Sequence, residues 1–249
     1  MRGATVRGVA AGLLCTILSG CAGFWDEVTS RDFSMSETLR PPEPMSVLRT
    51  SQDGDKRAKA FRRLEEPARN GSPGTQDEVV KLLTDAALGD PQPICRMAAI
   101  STLGRFQDSR AVPALINAYE SADQLAPELA YLIRCQALSA MGETKQPAAG
   151  EYLAKIAAQP VRNDASDRER GQTRDIRLAA VRSLRNFPQM PAATQTAAAL
   201  AQTEKDVAVR DRARETYTAL TGHEPATMPP APPVPNPVQA VKHEEPAKP

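Results

Sequence analysis

Between residues 45 and 222 the apolar positions fall at helical offsets, and one eight-residue pattern recurs five times. It reads RAKAFRRL from Arg57, RMAAISTL from Arg96, RCQALSAM from Arg134, RLAAVRSL from Arg177 and RDRARETY from Arg210. In every copy an alanine follows the arginine by three positions. An apolar residue comes next in four copies (Phe61, Ile100, Leu138 and Val181), and a large apolar or aromatic residue closes each copy at offset seven. Offsets of 3, 4 and 7 share one face of an α-helix, so each copy predicts a helix with its alanine turned inward. The copies start 39, 38, 43 and 33 residues apart, room for a second helix in each interval. A period near 40 with two helices per unit is the signature of a stacked helical repeat.

The partner helices are predicted over 78–88, 111–119, 148–158 and 192–201. Pro113, Pro147 and Pro191 sit near their starts, where a missing N–H costs nothing. Gly104 and Gly142 fall where the recurring helices end, which predicts left-handed glycine caps. The first unit has no clear partner helix unless residues 44–49 supply part of one. The fourth carries extra residues, 159–172, read as a long polar loop between its two helices. In the last copy Arg214 stands where the others have an apolar residue, as suits a solvent-facing terminal cap.

These copies resemble the second helix of HEAT repeats, including the shorter HEAT-like repeats also found in phycobilin lyases. The resemblance covers nearly all of residues 45–222. It implies an all-α fold: an α-solenoid of about four to five HEAT-like repeats, its antiparallel helix pairs forming a right-handed superhelix. It also implies a structural role for the repeat arginine, paired with an acid in a turn or a neighbouring repeat. Asp53 lies four before Arg57 and Asp206 four before Arg210; the other three arginines have no acid at that offset. Seven arginines fall between Arg162 and Arg185, but Asp164, Asp167, Glu169 and Asp175 interleave with them, as on a solvated mixed-charge surface.

The ends differ in kind. Arg2 and Arg7 precede an apolar run over 8–17, too short for the roughly 20 residues that a bilayer span needs. Leu18-Ser19-Gly20-Cys21 follows, giving the layout of a secretory signal peptide. These four residues resemble the lipobox of bacterial lipoproteins, which implies cleavage after residue 20 and acylation of Cys21. Several acyl chains, at about 0.8 kcal/mol per buried CH₂, make a lasting anchor. Residues 21–44 then read as a lipidated tether, whose Phe24, Trp25 and Phe33 either meet the membrane interface or dock on the body. Residues 223–249 form a tail with prolines at 229, 230, 232, 233 and 235. Such a segment is expected to be extended and disordered. It serves either as a polyproline ligand for an aromatic groove or as a spacer.

Charge and chemistry narrow the function. Without the first twenty residues the chain has 29 basic against 30 acidic side chains, which argues against a nucleic-acid partner. Aromatics are 4% of the residues and the two histidines, His223 and His243, lie outside the repeats. Hydrolytic triads and most metal sites lean on histidine. No metalloprotease, nucleophile-elbow, P-loop or dinucleotide motif occurs. No catalytic residue, metal, cofactor or small-molecule substrate is therefore expected. Cys95 and Cys135 fall on neighbouring recurring helices on different faces; export would permit a disulfide, but two free thiols fit the geometry better.

Three readings of function follow: a membrane-anchored scaffold that binds a protein partner, a structural spacer of the cell envelope, and a lyase-type enzyme or enzyme accessory. The scaffold fits best, since a solenoid offers a long concave wall and nothing in this one demands chemistry. Arg62, Arg63, Arg182 and Arg185 are the candidate contacts on that wall. Lipoprotein sorting, with Ala22 after the anchor, favours the outer membrane on its periplasmic side.

Overall fold

The computed structural model describes residues 42–67 and 71–225. Among these the structure is all helical, with ten α-helices and no strand. They are α1 (Pro44–Thr50), α2 (Gly54–Arg63), α3 (Pro73–Gly89), α4 (Pro93–Gly104), α5 (Ala111–Ser121), α6 (Pro127–Thr144), α7 (Pro147–Ala157), α8 (Asp167–Leu184), α9 (Pro191–Thr203) and α10 (Val207–Thr221). The expected signal segment, the tether up to residue 41 and the proline run lie outside the described residues, and Pro44, the expected end of the tether, opens α1.

The chain divides into two units, 1–46 and 47–249. Of the first, residues 42–46 are described. The Glu43 carboxylate accepts from the backbone N–H of Met45 at 3.0 Å and of Ser46 at 2.6 Å, capping the first turn of α1.

In the second unit the starts of the helices are written in the chain. Proline opens α3, α4, α6, α7 and α9, where its fixed φ is preorganised for the helix. Side-chain caps begin α2, α8 and α10, while α5 starts without one. Asp53 takes the N–H groups of Asp55 and Lys56, Asp206 those of Ala208 and Val209, and Ser166 with Glu169 forms a capping box. Asp53 and Asp206 are thus N-caps and not the partners of Arg57 and Arg210.

The helices α2, α4, α6, α8 and α10 carry the five motif copies and pack one on the next in sequence order, forming one layer. The helices α3, α5, α7 and α9 pack on them as the second layer. The core lies between the layers. All five motif alanines (Ala60, Ala99, Ala137, Ala180, Ala213) are buried, as are Phe61, Ile100, Leu138 and Val181 and, at offset seven, Leu64, Leu103, Met141 and Leu184. Arg214 is exposed and pairs with Asp211 at 3.6 Å, as expected of a terminal cap. This is the all-α architecture of an α-solenoid.

Two local expectations are corrected. Gly104 and Gly142 are not left-handed caps: Gly104 is the last residue of α4 and Gly142 lies inside α6, whose left-handed end is Lys145 at φ 54°. A Cβ on Gly104 would sit 2.8 Å from the Cα and Cβ of Ala140, and one on Gly142 would sit 2.8 Å from Ser183 Cβ. Both glycines occupy offset eight, facing offset six of the next copy, so they are missing side chains where neighbouring helices cross closely. Nor are residues 159–172 all loop. The helix α8 begins at Asp167, so six of those residues add turns to its N-terminus and only the segment before the Ser166 cap is irregular.

Candidate functional site

The repeat arginines come first, because their expected role is to hold the stack. Arg57 on α2 pairs with Asp90, which lies in the turn before α4 and has a side chain only 2% exposed. Arg177 on α8 pairs with Glu204 in the turn before α10, and donates from Nε to the Ala157 carbonyl at 3.0 Å. Asp90 and Glu204 hold the same register, six residues before the next copy's arginine. The backbone carbonyl of each accepts from that next arginine: Arg96 Nε to Asp90 at 2.6 Å, and Arg210 Nη1 to Glu204 at 3.3 Å. One acid therefore ties together two consecutive repeats. The middle copy differs. Arg134 pairs with Asp123 in its own repeat's 3₁₀ turn (Ala122–Gln124) and lies over the Tyr119 ring at 5.4 Å.

The exposed face of the motif-bearing layer is set by the helical register. Positions two before and five after each arginine lie on the side away from it, at 100° per residue. Two before, the residues are Asp55, Ile94, Leu132, Asp175 and Ala208; five after, Arg62, Ser101, Ser139, Arg182 and Glu215. Ile94 and Leu132 are two of the three large hydrophobic side chains exposed among the described residues, at 39% and 47%. Half-buried Met97 and Leu178 lie beside them, one position after the arginines of α4 and α8. The four sequence candidates lie on the helices flanking this apolar middle: Arg62 and Arg63 on α2, Arg182 on α8 and Arg185 just after it, all exposed. Arg62 and Arg182 share one register three repeats apart, roughly 25–30 Å at the usual helix spacing. Arg182 and Arg185 make no ion pair among the described residues and line a small cavity of about 40 Å³ with Arg212, Glu215 and Thr216.

Sequence reading missed a second feature, a cleft between repeats three and four. It opens where α6 and α8 run past their motif copies toward their N-termini. A cavity of about 670 Å³ is lined by Tyr131, Arg134, Pro160, Arg168, Thr173 and Ile176, among others. One of about 370 Å³ adjoins it, bringing in Tyr119, Tyr152 and Lys155. The rings of Tyr119 and Tyr152 meet edge to face with centroids 5.7 Å apart, and Tyr152 donates to Glu120 at 3.2 Å. Burial raises the Tyr152 hydroxyl far above its ordinary pKa, with the Glu120 charge adding to it. The surrounding arginines are already neutralised: Arg134 by Asp123, Arg162 by Glu169, Arg168 by Glu128 and Arg177 by Glu204. The four acids come from four different places, the 3₁₀ turn, α6, α8 and the turn after α9, so the pairing has no signal in local spacing. The 43-residue interval before Arg177 was the one legible sign of an irregularity there.

Cys95 is buried and Cys135 half-buried, and both are free thiols. Burial raises the pKa of each. No group of three or more histidine, cysteine or acidic side chains placed to hold a metal occurs among the described residues.

No helix among the described residues is long and apolar enough to cross a membrane. A comparison with curated proteins finds no match. Residues 41–130 match the family model for HEAT repeats, which takes in the first two motif copies and their junction; the same inter-repeat contacts continue beyond the match, and the chain is similar to HEAT-repeat proteins in the architecture of its stack.

Proposed function

We propose that this chain is a lipid-anchored scaffold of the cell envelope that captures a protein partner on the exposed face of its motif-bearing helix layer. Stacked helical repeats offer extended binding surfaces that no single helix pair could provide, and an all-helical stack of HEAT repeats is typically a scaffold. The observation that carries the reading is the exposed apolar middle of that layer, Ile94 and Leu132, set between Arg62 on one side and Arg182 on the other. An apolar centre with a polar, charged rim is the usual anatomy of a protein interface. Arg62, Arg63, Arg182 and Arg185 are the rim contacts in this reading, and an acidic margin on the partner would complement them.

The anchor rests on the sequence: residues 1–20 as a cleaved signal peptide, Cys21 as the acylated residue and 21–44 as the tether, with residues 45–222 as the repeat body. The outer membrane on its periplasmic side is the proposed site, and the protein meets no nucleic acid. In-cell crosslinking of the full-length chain tests the whole scheme, beside Cys21→Ser and a version ending at Pro225. A discrete partner retained without the tail, and lost when Arg62 and Arg182 are reversed to Glu, supports the scaffold. A partner that survives both reversals removes the basic rim from the reading, and capture of no partner by any version overturns the scaffold in favour of an envelope spacer. Failure of Cys21→Ser to leave the membrane fraction overturns the anchor.

A further inference from the structure

The tyrosine cleft adjoins the exposed face proposed above, between the N-terminal halves of α6 and α8, and its chemistry is different. Three of the chain's four tyrosines, Tyr119, Tyr131 and Tyr152, line its two adjoining cavities. Every arginine around it is paired with a carboxylate, so it offers little to an anion. It does offer tyrosine rings, one face of Tyr119 covered by Arg134 at 5.4 Å and one face of Tyr152 by Lys155 at 5.8 Å, and polar groups with unspent capacity. The Tyr119 hydroxyl and the side chains of Gln159, Gln172 and Thr173 make no hydrogen bond among the described residues. Ring faces beside free donors are what a polyproline helix needs, because its rings stack on aromatics and its carbonyls have no internal partner.

The chain itself holds such a ligand. Residues 229–235 contain five prolines, and the stretch 226–241 carries no charged side chain. That neutrality matches a cleft whose arginines are all paired with acids and whose remaining cation, Lys155, lies over the Tyr152 ring at 5.8 Å. The reach also fits. The helix α10 ends at Thr221, one helix away from α8. The cleft residues Thr173 and Ile176 lie near the middle of α8, about 20 Å back along the axis from the level of Thr221 at 1.5 Å per residue. With one or two helix spacings across, the gap is on the order of 25 Å. Ten residues of extended polyproline chain cover about 31 Å, so residues 232–235 can arrive from Gly222. We propose that the cleft between repeats three and four is a seat for this chain's own proline run, which folds back along α8 and stacks on Tyr119 and Tyr152.

Site-specific photocrosslinking in the full-length chain tests this. A benzophenone amino acid placed as Tyr152→p-benzoylphenylalanine is expected to crosslink to residues 229–241 of the same molecule. The same probe placed at exposed Lys81 on α3 is expected not to. Replacing Pro229, Pro230, Pro232 and Pro233 with Ala, which leaves the repeat body intact, should cut the crosslink yield by about tenfold, the effect of losing one strong contact. Replacing Lys242, Glu244 and Glu245 with Ala should leave the yield unchanged. Crosslinks that ignore the proline substitutions overturn the proposal. So do crosslinks that map to another polypeptide, or that join light to heavy copies in an isotopically mixed sample.

Discussion

Arg177 and Glu204 are 27 residues apart in the chain yet meet across the junction between the fourth and fifth repeats, with side chains only 5% and 14% exposed. The Arg177 guanidinium also donates to the Ala157 carbonyl, so it is satisfied on both sides while water is excluded. Removing one partner of a buried pair is far more costly than the pair is stabilising, because the other charge stays buried. Glu204→Ala is therefore expected to lower unfolding stability by about 3 kcal/mol, measured by urea titration at neutral pH. The surface swap Glu215→Ala, which breaks the exposed pair with Arg212, should cost well under 1 kcal/mol. Equal costs for the two would refute the view that Glu204 clamps the stack.

The same pair sets an acid limit. Burial alone would raise the Glu204 carboxyl, but hydrogen bonds from Arg177 and from the Asp206 and Lys205 backbone N–H groups outweigh it and hold the group below the usual glutamate range. A depressed folded pKa means stability that is fully present above the unfolded value, about 4.3, and is lost as pH falls toward the folded one. The wild-type chain should therefore lose stability below about pH 4.3, and Glu204→Gln, weaker at neutral pH, should lose less over that range. Parallel pH curves for the two proteins would show that the carboxylate has no part in the acid limit.

How much of this was legible in the sequence differs from residue to residue. The arginine frame gave the motif-bearing helices, their inward faces and the α-solenoid, because helical periodicity is a local property. The acid partners were not legible: Asp90 and Glu204 hold a fixed register only with respect to the next copy's arginine, whereas Asp53 and Asp206, at the more obvious offset, are spent on N-caps. Gly104 and Gly142 were visible as glycines, but a close helix crossing and a left-handed cap leave the same mark on a sequence. The tyrosine cleft draws on α5, α6, α7 and α8, and nothing in the spacing of Tyr119, Tyr131 and Tyr152 announces that they converge. The exposure of Arg62, Arg63, Arg182 and Arg185 was readable from the wheel, while their relation to Ile94 and Leu132 needed the layer.

The glycines give a paired test in which one substitution changes sign with place. Gly171 lies inside α8 with open space where a Cβ would go, so Gly171→Ala should stabilise by about 0.5–1 kcal/mol through helix propensity. Gly104→Ala makes the same gain in propensity but drives a methyl to 2.8 Å from backbone and side-chain atoms of Ala140. Overpacking of that kind costs about 1–3 kcal/mol, and a lower melting temperature is the expected outcome. A stabilised Gly104→Ala would mean that α4 and α6 can separate freely, against the close crossing described above.

Two threonines do across a junction what the arginines do across a turn. Thr102 donates to the Phe61 carbonyl at 3.0 Å and Thr216 to the Val181 carbonyl at 3.1 Å; both are buried, and both link offset six of one copy to offset four of the copy before. Valine has nearly the shape of threonine, so Thr102→Val and Thr216→Val remove the bond with little change in packing, the former also taking away an acceptor of Arg105 at 3.3 Å. Each should cost about 1 kcal/mol, rising toward 2 if the freed carbonyl finds no water. Denaturant midpoints of the two single variants and the double variant check this, and the sites are far enough apart for their costs to add. No change in either single variant would show that these carbonyls are satisfied within their own helices.

The two thiols of the repeat body should report local opening. Cys95 is fully enclosed and its Sγ lies 3.4 Å from the Gly54 carbonyl, while Cys135 is half-buried beside Tyr131. Burial raises the pKa of both, and the charge of Asp90 adds to the rise at Cys95. Since the thiolate is the reactive form, both should alkylate more slowly than an exposed cysteine. Cys135 should react first in the folded chain, and Cys95 only as α2 and α4 part, at a rate that climbs with sub-denaturing urea. Iodoacetamide labelling with peptide mapping distinguishes the two sites. The prediction fails if Cys95 labels as fast as Cys135 in the absence of denaturant, since the α2–α4 junction would then open without the rest of the stack.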